Sequence, residues 1–393
     1  MKNKIPEKIR VLIFVGHYLP GYKSGGILRS IENTVNNLHV DFDFFIVTRD
    51  HDLGEDNAYE NVKIGEWQAQ GNSFVKYLDS NGTSFLNICN ILKETPYNTI
   101  YLNSFFDPLS IKVLLACKLG IIHGSSIILS PRGEFAWASL KIKYIKKLSY
   151  ILLSKAIRLY NNIIWHVSSE YEAEDLIEVM NVEPSTIRIA KDLPVNIQAS
   201  LINNNDVSVS QSDQLRLIFL SRISPEKNLY LAINILSKVQ CDIIFDIYGT
   251  IENASYWEKC QELIESLPVN VIVKYCGPVK PNMVISTFLM YDLFFFPSGG
   301  ENYGHVIVES LSAGTSVLIS KNTPWRDLQE KGLGWDVDLA NISLFVEIIE
   351  KFAMKDKSEL KSIRKQILSS IGKLLMNDED LQANRNLFLE NSY

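Results

Sequence analysis

Short runs of consecutive apolar residues alternate along the chain with segments in which apolar residues recur every three or four positions. In the first half the runs are IRVLIFV, DFFIVT, NTIYLN, SIILS and IIWHVS, separated by stretches such as GGILRSIENTVNNL and DPLSIKVLLACKLG. Strands covered on both faces read as continuous apolar runs, and helical spacing between them predicts crossover helices, so the pattern predicts a parallel sheet. It breaks near residues 198–214, a polar stretch rich in Asn and Ser without periodicity. It then restarts with LRLIFL, IIFDIYG, NVIVKYCG, LFFFP and SVLIS. The expectation is an α/β protein of two doubly wound parallel-sheet domains, 1–197 and 215–377, joined by a linker at 198–214. The last segment, 378–393, has no strand partner left and is expected to be a helix packing back on the first domain. Ligands of open α/β sheets bind beyond the carboxyl ends of the strands, so two such domains are expected to face each other across a cleft.

Composition narrows the class. A chain of 393 residues exceeds one ordinary core, and 46% hydrophobic with 21% charged residues is the balance of a globular protein. A net charge of −6 argues against nucleic acid as a partner, because phosphate binding draws on clustered Lys and Arg. The five cysteines, Cys89, Cys117, Cys241, Cys260 and Cys276, are odd in number and never form CxxC, which reads as thiols in a reducing compartment. The run Ile9–Val15 contains Arg10 and no small-residue cleavage site follows, so it reads as a first strand and not as a leader. No stretch approaches the roughly 18–20 apolar residues needed to span a bilayer. The expected location is cytoplasmic or peripheral to a membrane.

Candidate chemistry concentrates in the second half. In PSGGENYGHVIVESLSAG, residues 297–314, a strand ends at Pro297, a turn containing Gly300 and Gly304 follows, and an apolar helix begins. Glycines let a polyanion approach the backbone, and a helix N-terminus presents free N–H groups, so this reads as a phosphate site. Glu301 and Glu309 would gain nothing beside an anion unless they contact neutral hydroxyls, which points to sugar and ribose. Each alone reads equally as an ordinary helix-end charge. In FLSRISPEKNLYLAINIL, residues 219–236, Arg222 and Lys227 follow a strand, where cations could hold a diphosphate. Taken alone, such a pair is usually a solvated surface. Gly25 and Gly26 precede a helix, but no G-x-G-x-x-G fingerprint is present, which counts against a dinucleotide cofactor.

Together these segments resemble the retaining glycosyltransferases of family 4, which have the GT-B fold. Glu301, Tyr303, Gly304 and Glu309 match the family's E-x-F-G-x4-E element with Tyr in place of Phe, and Arg222 and Lys227 match its R-x4-K element. The resemblance implies that Arg222 and Lys227 hold the diphosphate of a nucleotide sugar and neutralise it as it leaves. It implies that Glu309 holds the ribose hydroxyls, with Gly300 and Asn302 beside the donor, and that Glu301 binds the hexose ring. Gly25 and Gly26 would lie by the donor phosphate. No metal and no cofactor is implied, since the cations do the work of Mg²⁺. SPRGE, residues 130–134, resembles a subgroup of bacterial cell-surface polysaccharide transferases and places Arg132 where many relatives have a donor-contacting His. The implied reaction moves a hexose to a hydroxyl of a polyprenyl-linked glycan in capsule, O-antigen or exopolysaccharide assembly. Three other readings share these residues: a soluble glucan or disaccharide synthase or phosphorylase, a sugar-nucleotide epimerase, and a non-catalytic nucleotide-sugar-binding protein.

Between Leu140 and Tyr160 there is no acid, while Lys141, Lys143, Lys146, Lys147, Lys155 and Arg158 accompany apolar residues at helical spacing. Such a basic amphipathic helix suits an anionic inner membrane face, where each cation adds about 1 kcal/mol. It equally suits an ordinary surface helix with a charged outer face. Asp41-Phe42-Asp43 spells D-x-D but precedes its strand, the wrong end for a metal site. His17, His123 and His166 form no ligand set and read as loop or satisfied core residues. In TPWRDL, residues 323–328, Trp325 and Asp327 are explained as well by capping as by nucleotide contact.

Overall fold

The computed structural model describes residues 8–122, 126–195, 214–375 and 377–389. Most of the expected linker, residues 198–213, and His123 lie outside the described residues. The chain divides into two compact units, one formed by Met1–Asn196 with Asp378–Tyr393 and the other by Ile197–Asn377.

The first unit carries an eight-stranded sheet in the order β3-β4-β2-β1-β5-β6-β7-β8. Its central strands are β1 (Ile9–Phe14), β2 (Phe42–Arg49), β5 (Thr99–Asn103) and β6 (Ser126–Ser130). β1 shows why these residues make a doubly covered strand. Side chains alternate across a sheet, and Leu12 and Phe14 enter one core while Val11 and Ile13 enter the other, all four fully buried. One departure from an all-parallel sheet is the edge strand β3 (Trp67–Gln70), antiparallel to β4 (Ser73–Leu78). Neither is among the expected strands: WQAQ is too polar to read as a run, and Lys76 interrupts the apolar run of SFVKYL. Helices α1 (Gly26–Leu38), α2 (Phe85–Glu94), α3 (Pro108–Lys118), α4 (Trp137–Leu140), α5 (Tyr144–Ala156) and α6 (Glu170–Met180) connect the strands, and β7 (Ile164–Val167) and β8 (Ile187–Ile189) complete them.

The C-terminal helix Asp378–Leu389 is part of this unit. Its Phe388 ring packs edge-on against Phe42 and Phe44 of β2 and Tyr101 of β5. Arg385 Nε donates to Asp41 at 3.0 Å, so the first acid of the D-x-D triplet pins this helix.

The second unit is a six-stranded, all-parallel sheet in the order β11-β10-β9-β12-β13-β14. The strands are β9 (Leu215–Leu220), β10 (Ile243–Tyr248), β11 (Val271–Gly277), β12 (Leu293–Phe296), β13 (Ser316–Ser320) and β14 (Gly334–Val337). All four side chains of the LFFF strand β12 are fully buried, as expected of a central strand with helices on both faces. The helices are α7 (Leu229–Leu236), α8 (Ala254–Glu265), α9 (Val284–Phe288), α10 (His305–Ser312), α11 (Ile342–Ala353) and α12 (Lys357–Leu375). In chain order the sheet reads 3-2-1-4-5-6, so the direction of winding reverses between β9 and β12. Crossovers diverge there, and their loops leave a crevice beyond the carboxyl ends of these two strands.

All five cysteines are free. Among the described residues no helix is long and apolar enough to cross a membrane, and no group of His, Cys, Asp or Glu could hold a metal ion.

Candidate functional site

The reversal between β9 and β12 places two sequence-distant segments side by side. After β9 the chain runs through Ser221 and Arg222 into a 3-10 turn, Pro225–Lys227, and Asn228 adopts a left-handed conformation to start α7. After β12 it turns at Pro297 through Ser298, Gly299 and Gly300 to Glu301. The two loops are bonded directly: Gly299 N–H donates to Glu226 O at 2.8 Å, and Asn228 Nδ2 donates to Pro297 O at 3.0 Å. A Cβ at Gly299 would stand 3.0 Å from Glu226 O, so glycine is what allows the loops this close.

Lys227 and Glu301, 74 positions apart, meet here with Nζ to Oε1 at 2.6 Å. Their side chains are 14% and 13% exposed, so the pair is largely shielded and strongly held. Ser298 Oγ stands 3.2 Å from the same Glu301 oxygen, and Glu301 N–H donates to Asn322 O after β13. Arg222 lies at the other side of its turn, with Nη1 2.8 and 2.7 Å from the two oxygens of Glu252 and Nη2 3.5 Å from Glu226. Glu252 follows β10, where Gly249 is obligatory: a Cβ there would fall 1.7 Å from Ser221 O. Both cations thus meet carboxylates.

Beyond Glu301 and Asn302, Gly304 takes φ 80° as the N-cap of α10, whose first turn has no acidic residue and no side-chain cap. A helix start of this kind presents backbone N–H groups and the positive end of its dipole. Tyr303 packs against the His305 ring at 4.7 Å between centroids, and Trp325 Nε1 donates to Tyr303 O at 2.7 Å. Glu309 is half-buried within α10. The structure therefore brings Arg222, Lys227, Gly300, Glu301, Asn302, Tyr303 and Gly304 to the carboxyl edge of one sheet, with Glu309 one turn further along the helix that starts there. Ser298, Glu252, Asn322 and Trp325 join them. The sequence left nucleotide contact open for Trp325; Ser298, Glu252 and Asn322 do not stand out in it, because each contributes through a contact and not through a spacing.

The first unit holds Gly25, Gly26 and Arg132. Gly25, with φ 67° and ψ −127°, is the N-cap of α1, a conformation that requires glycine. The loop before it is tied down by Asp52, whose carboxylate accepts from Tyr22 N–H at 2.8 Å and from Lys23 N–H at 3.1 Å.

Arg132 departs from the sequence expectation of a donor-binding cation. Its side chain is 3% exposed and pairs with buried Asp192 at 2.6 Å. Nη2 also donates to Tyr101 Oη at 2.9 Å and to Asn103 Oδ1 at 2.8 Å, and Nε to the same Asn103 oxygen at 3.1 Å. Four of the five guanidinium N–H groups are engaged in holding β5, β6 and the segment at Asp192 together, and the side chain is buried. Lys147 departs in the same way from the expected set of membrane-facing lysines, donating to Ser139 O at 2.7 Å and lying 5.2 Å over the Phe106 ring.

The Arg132 network extends to His166, a satisfied core residue. Nε2–H donates to Ala190 O at 2.9 Å, so Nδ1 is the acceptor for the Tyr101 hydroxyl at 2.7 Å. Burial, reinforced by the Arg132 charge, lowers its pKa from 6.5 to about 4. The folded state resists a proton that the unfolded chain accepts, so stability is lost as pH falls from 6.5 towards 4, by about 3 kcal/mol at most. Urea unfolding at pH 7 and pH 4.5 should show this loss, and His166→Gln should remove that share of the pH dependence.

Two α/β units, each built on a wound, largely parallel sheet, define the class: the chain has the GT-B glycosyltransferase fold. Residues 202–367, most of the second unit, match the family described as Glycosyl transferases group 1. A Klebsiella pneumoniae protein described as an uncharacterized 41.2 kDa protein in the cps region is 22% identical over 301 residues, covering 75% of this chain and 80% of the relative. Among solved structures, Anabaena Alr3699/HepE in complex with UDP and glucose matches with TM-score 0.67 at 14% identity, covering 97% of this chain and 99% of that one. WaaG, a glycosyltransferase involved in lipopolysaccharide biosynthesis, matches with TM-score 0.60 at 12% identity, covering 97% of this chain and 99% of that one.

Proposed function

We propose that this protein is a retaining, metal-independent glycosyltransferase that moves a hexose from a nucleoside diphosphate sugar to a hydroxyl of a lipid-linked glycan during capsule, O-antigen or exopolysaccharide assembly. The observation that carries the reading is the Lys227–Glu301 pair at the reversal point of the second sheet, with Arg222 on the same loop and the uncapped start of α10 beyond it. A diphosphate needs cations and backbone N–H groups, and a sugar needs a carboxylate for its hydroxyls; this edge supplies both. The capsule-region relative and the lipopolysaccharide enzyme support the choice of acceptor class, and the UDP complex supports the choice of donor class.

In this reading Arg222 and Lys227 bind the diphosphate in place of their present carboxylate partners and neutralise it as the bond to the anomeric carbon breaks. Glu301, released from Lys227, accepts hydrogen bonds from hexose hydroxyls and faces the positive charge developing on the ring. Glu309 takes the ribose hydroxyls. The departing phosphate oxygen receives the acceptor's proton on the same face, which retains anomeric configuration without a separate base. Two fixed cations replace the charge that a divalent metal would supply.

Thermal unfolding with a panel of nucleoside diphosphates and nucleotide sugars tests the donor site without knowledge of the acceptor. A nucleotide at 100 times its Kd stabilises the folded protein by about 2.7 kcal/mol. One base is expected to give an upward shift that survives chelation of divalent ions and is lost in Arg222→Ala. The absence of a shift with every nucleotide would overturn the reading.

A further inference from the structure

An ordinary surface helix turns its apolar side inward, whereas segment 137–158 leaves most of its apolar residues on the outside. Only Ile151 and Ser154 of α5 are buried. Ile145 is 81% exposed, Trp137 67%, and Leu152 and Leu153 59% each; Tyr144, Ile142, Leu148 and Ile157 are exposed as well. Ile145, Leu148 and Leu152 stand at i, i+3 and i+7, so they form one ridge along the outer face. Lys141 precedes the ridge and Lys155 follows it, both exposed, with exposed Lys143 and Lys146 beside it. No acid occurs between Glu134 and Glu170, in a chain whose net charge is −6.

An apolar row of this size is unusual on a water-facing surface. Its lysine border selects the occupant. Two copies of this segment would bring like charges together, whereas a bilayer with anionic headgroups accepts the ridge among its acyl chains while the lysines reach the phosphates. We propose that α4 and α5 form a docking surface for an anionic phospholipid bilayer, with the Ile145–Leu148–Leu152 ridge entering the lipid and Lys141, Lys143 and Lys146 at headgroup level.

Co-sedimentation of the full chain with vesicles tests this apart from the donor site. The protein should pellet with vesicles of phosphatidylglycerol and phosphatidylcholine in equal parts, and stay in solution with phosphatidylcholine alone. The triple variant Lys141→Gln, Lys143→Gln, Lys146→Gln should lose about fivefold in partitioning for each charge, about a hundredfold in all. Ile145→Ser with Leu152→Ser should abolish binding at every salt concentration, with unfolding midpoint and nucleotide-induced shift unchanged because neither side chain is buried. A wild-type chain that ignores anionic vesicles, equal binding to neutral ones, or undiminished binding by the Ser variant would each overturn the proposal. A dimer in light scattering that the Ser variant dissociates would overturn it in favour of a second copy. Failure of every nucleotide to stabilise the protein would leave vesicle binding untouched, so the two readings fall separately.

Discussion

Lys227→Ala is expected to lower kcat by about a hundredfold to a thousandfold, the effect of removing one preorganised donor from a developing anion. In energy this is about 3–4 kcal/mol of transition-state stabilisation. Glu301→Gln should lower kcat on a similar scale, since the amide keeps the size but not the charge that faces the sugar ring. The reason to treat them together is geometric: they form one shielded pair at 2.6 Å, so each positions the other before substrate arrives. Their effects should therefore fall short of additive in the double variant. The variants separate in binding, because Glu301→Gln frees Lys227 and should keep nucleoside diphosphate affinity, whereas Lys227→Ala should weaken it. Release of nucleoside diphosphate in the presence of donor and acceptor, with the titrated Kd, reads both quantities. Near-wild-type turnover in both single variants would remove the pair from the chemistry.

The second large effect is expected at Arg132, and it concerns stability. Arg132→Ala strips Asp192, 5% exposed, of its ionic partner and leaves Tyr101 and Asn103 with fewer donors. Breaking a buried pair from one side costs about 3–5 kcal/mol. Hydrogen exchange should register this as easier opening of β5 and β6, while nucleotide-induced stabilisation of the second unit persists. A donor-binding Arg132 would give the opposite result, with normal exchange and a loss in affinity for the nucleotide sugar.

The central strands were legible because burial on both faces forces continuous apolar runs, as LRLIFL and LFFF illustrate. The edge elements were not. WQAQ and GWDV carry polar residues that a partly solvated edge tolerates, so β3 and β14 leave no run to find. At the site, Arg222, Lys227, Glu301 and Glu309 were visible through spacing and resemblance. What spacing could not reveal is which cation meets which acid: Lys227 reaches Glu301 on another loop, whereas Arg222 turns to Glu252. Arg132 departs from its expected surroundings for the same reason. A sequence gives a cation's position along a strand end, but its partners Asp192 and Tyr101 come from 60 positions ahead and 31 behind, and they decide whether the charge faces a ligand or the core. Segment 140–160 was correctly read as basic and apolar, yet its periodicity could not say which side faces in.

The position of Asp378–Leu389 bears on biosynthesis. Leu387 and Phe388 complete the core beside β1 and β2, but the ribosome reaches them only after the entire second unit. During synthesis Phe42 and Phe44 therefore wait uncovered while the second unit has all its parts to hand and can fold first. Closing so long a loop adds little to its entropic cost, but it delays the contact. An expression product that stops before residue 378 would present that aromatic face to solvent and invite aggregation, so a separately produced first unit should carry the terminal helix stitched behind residue 195.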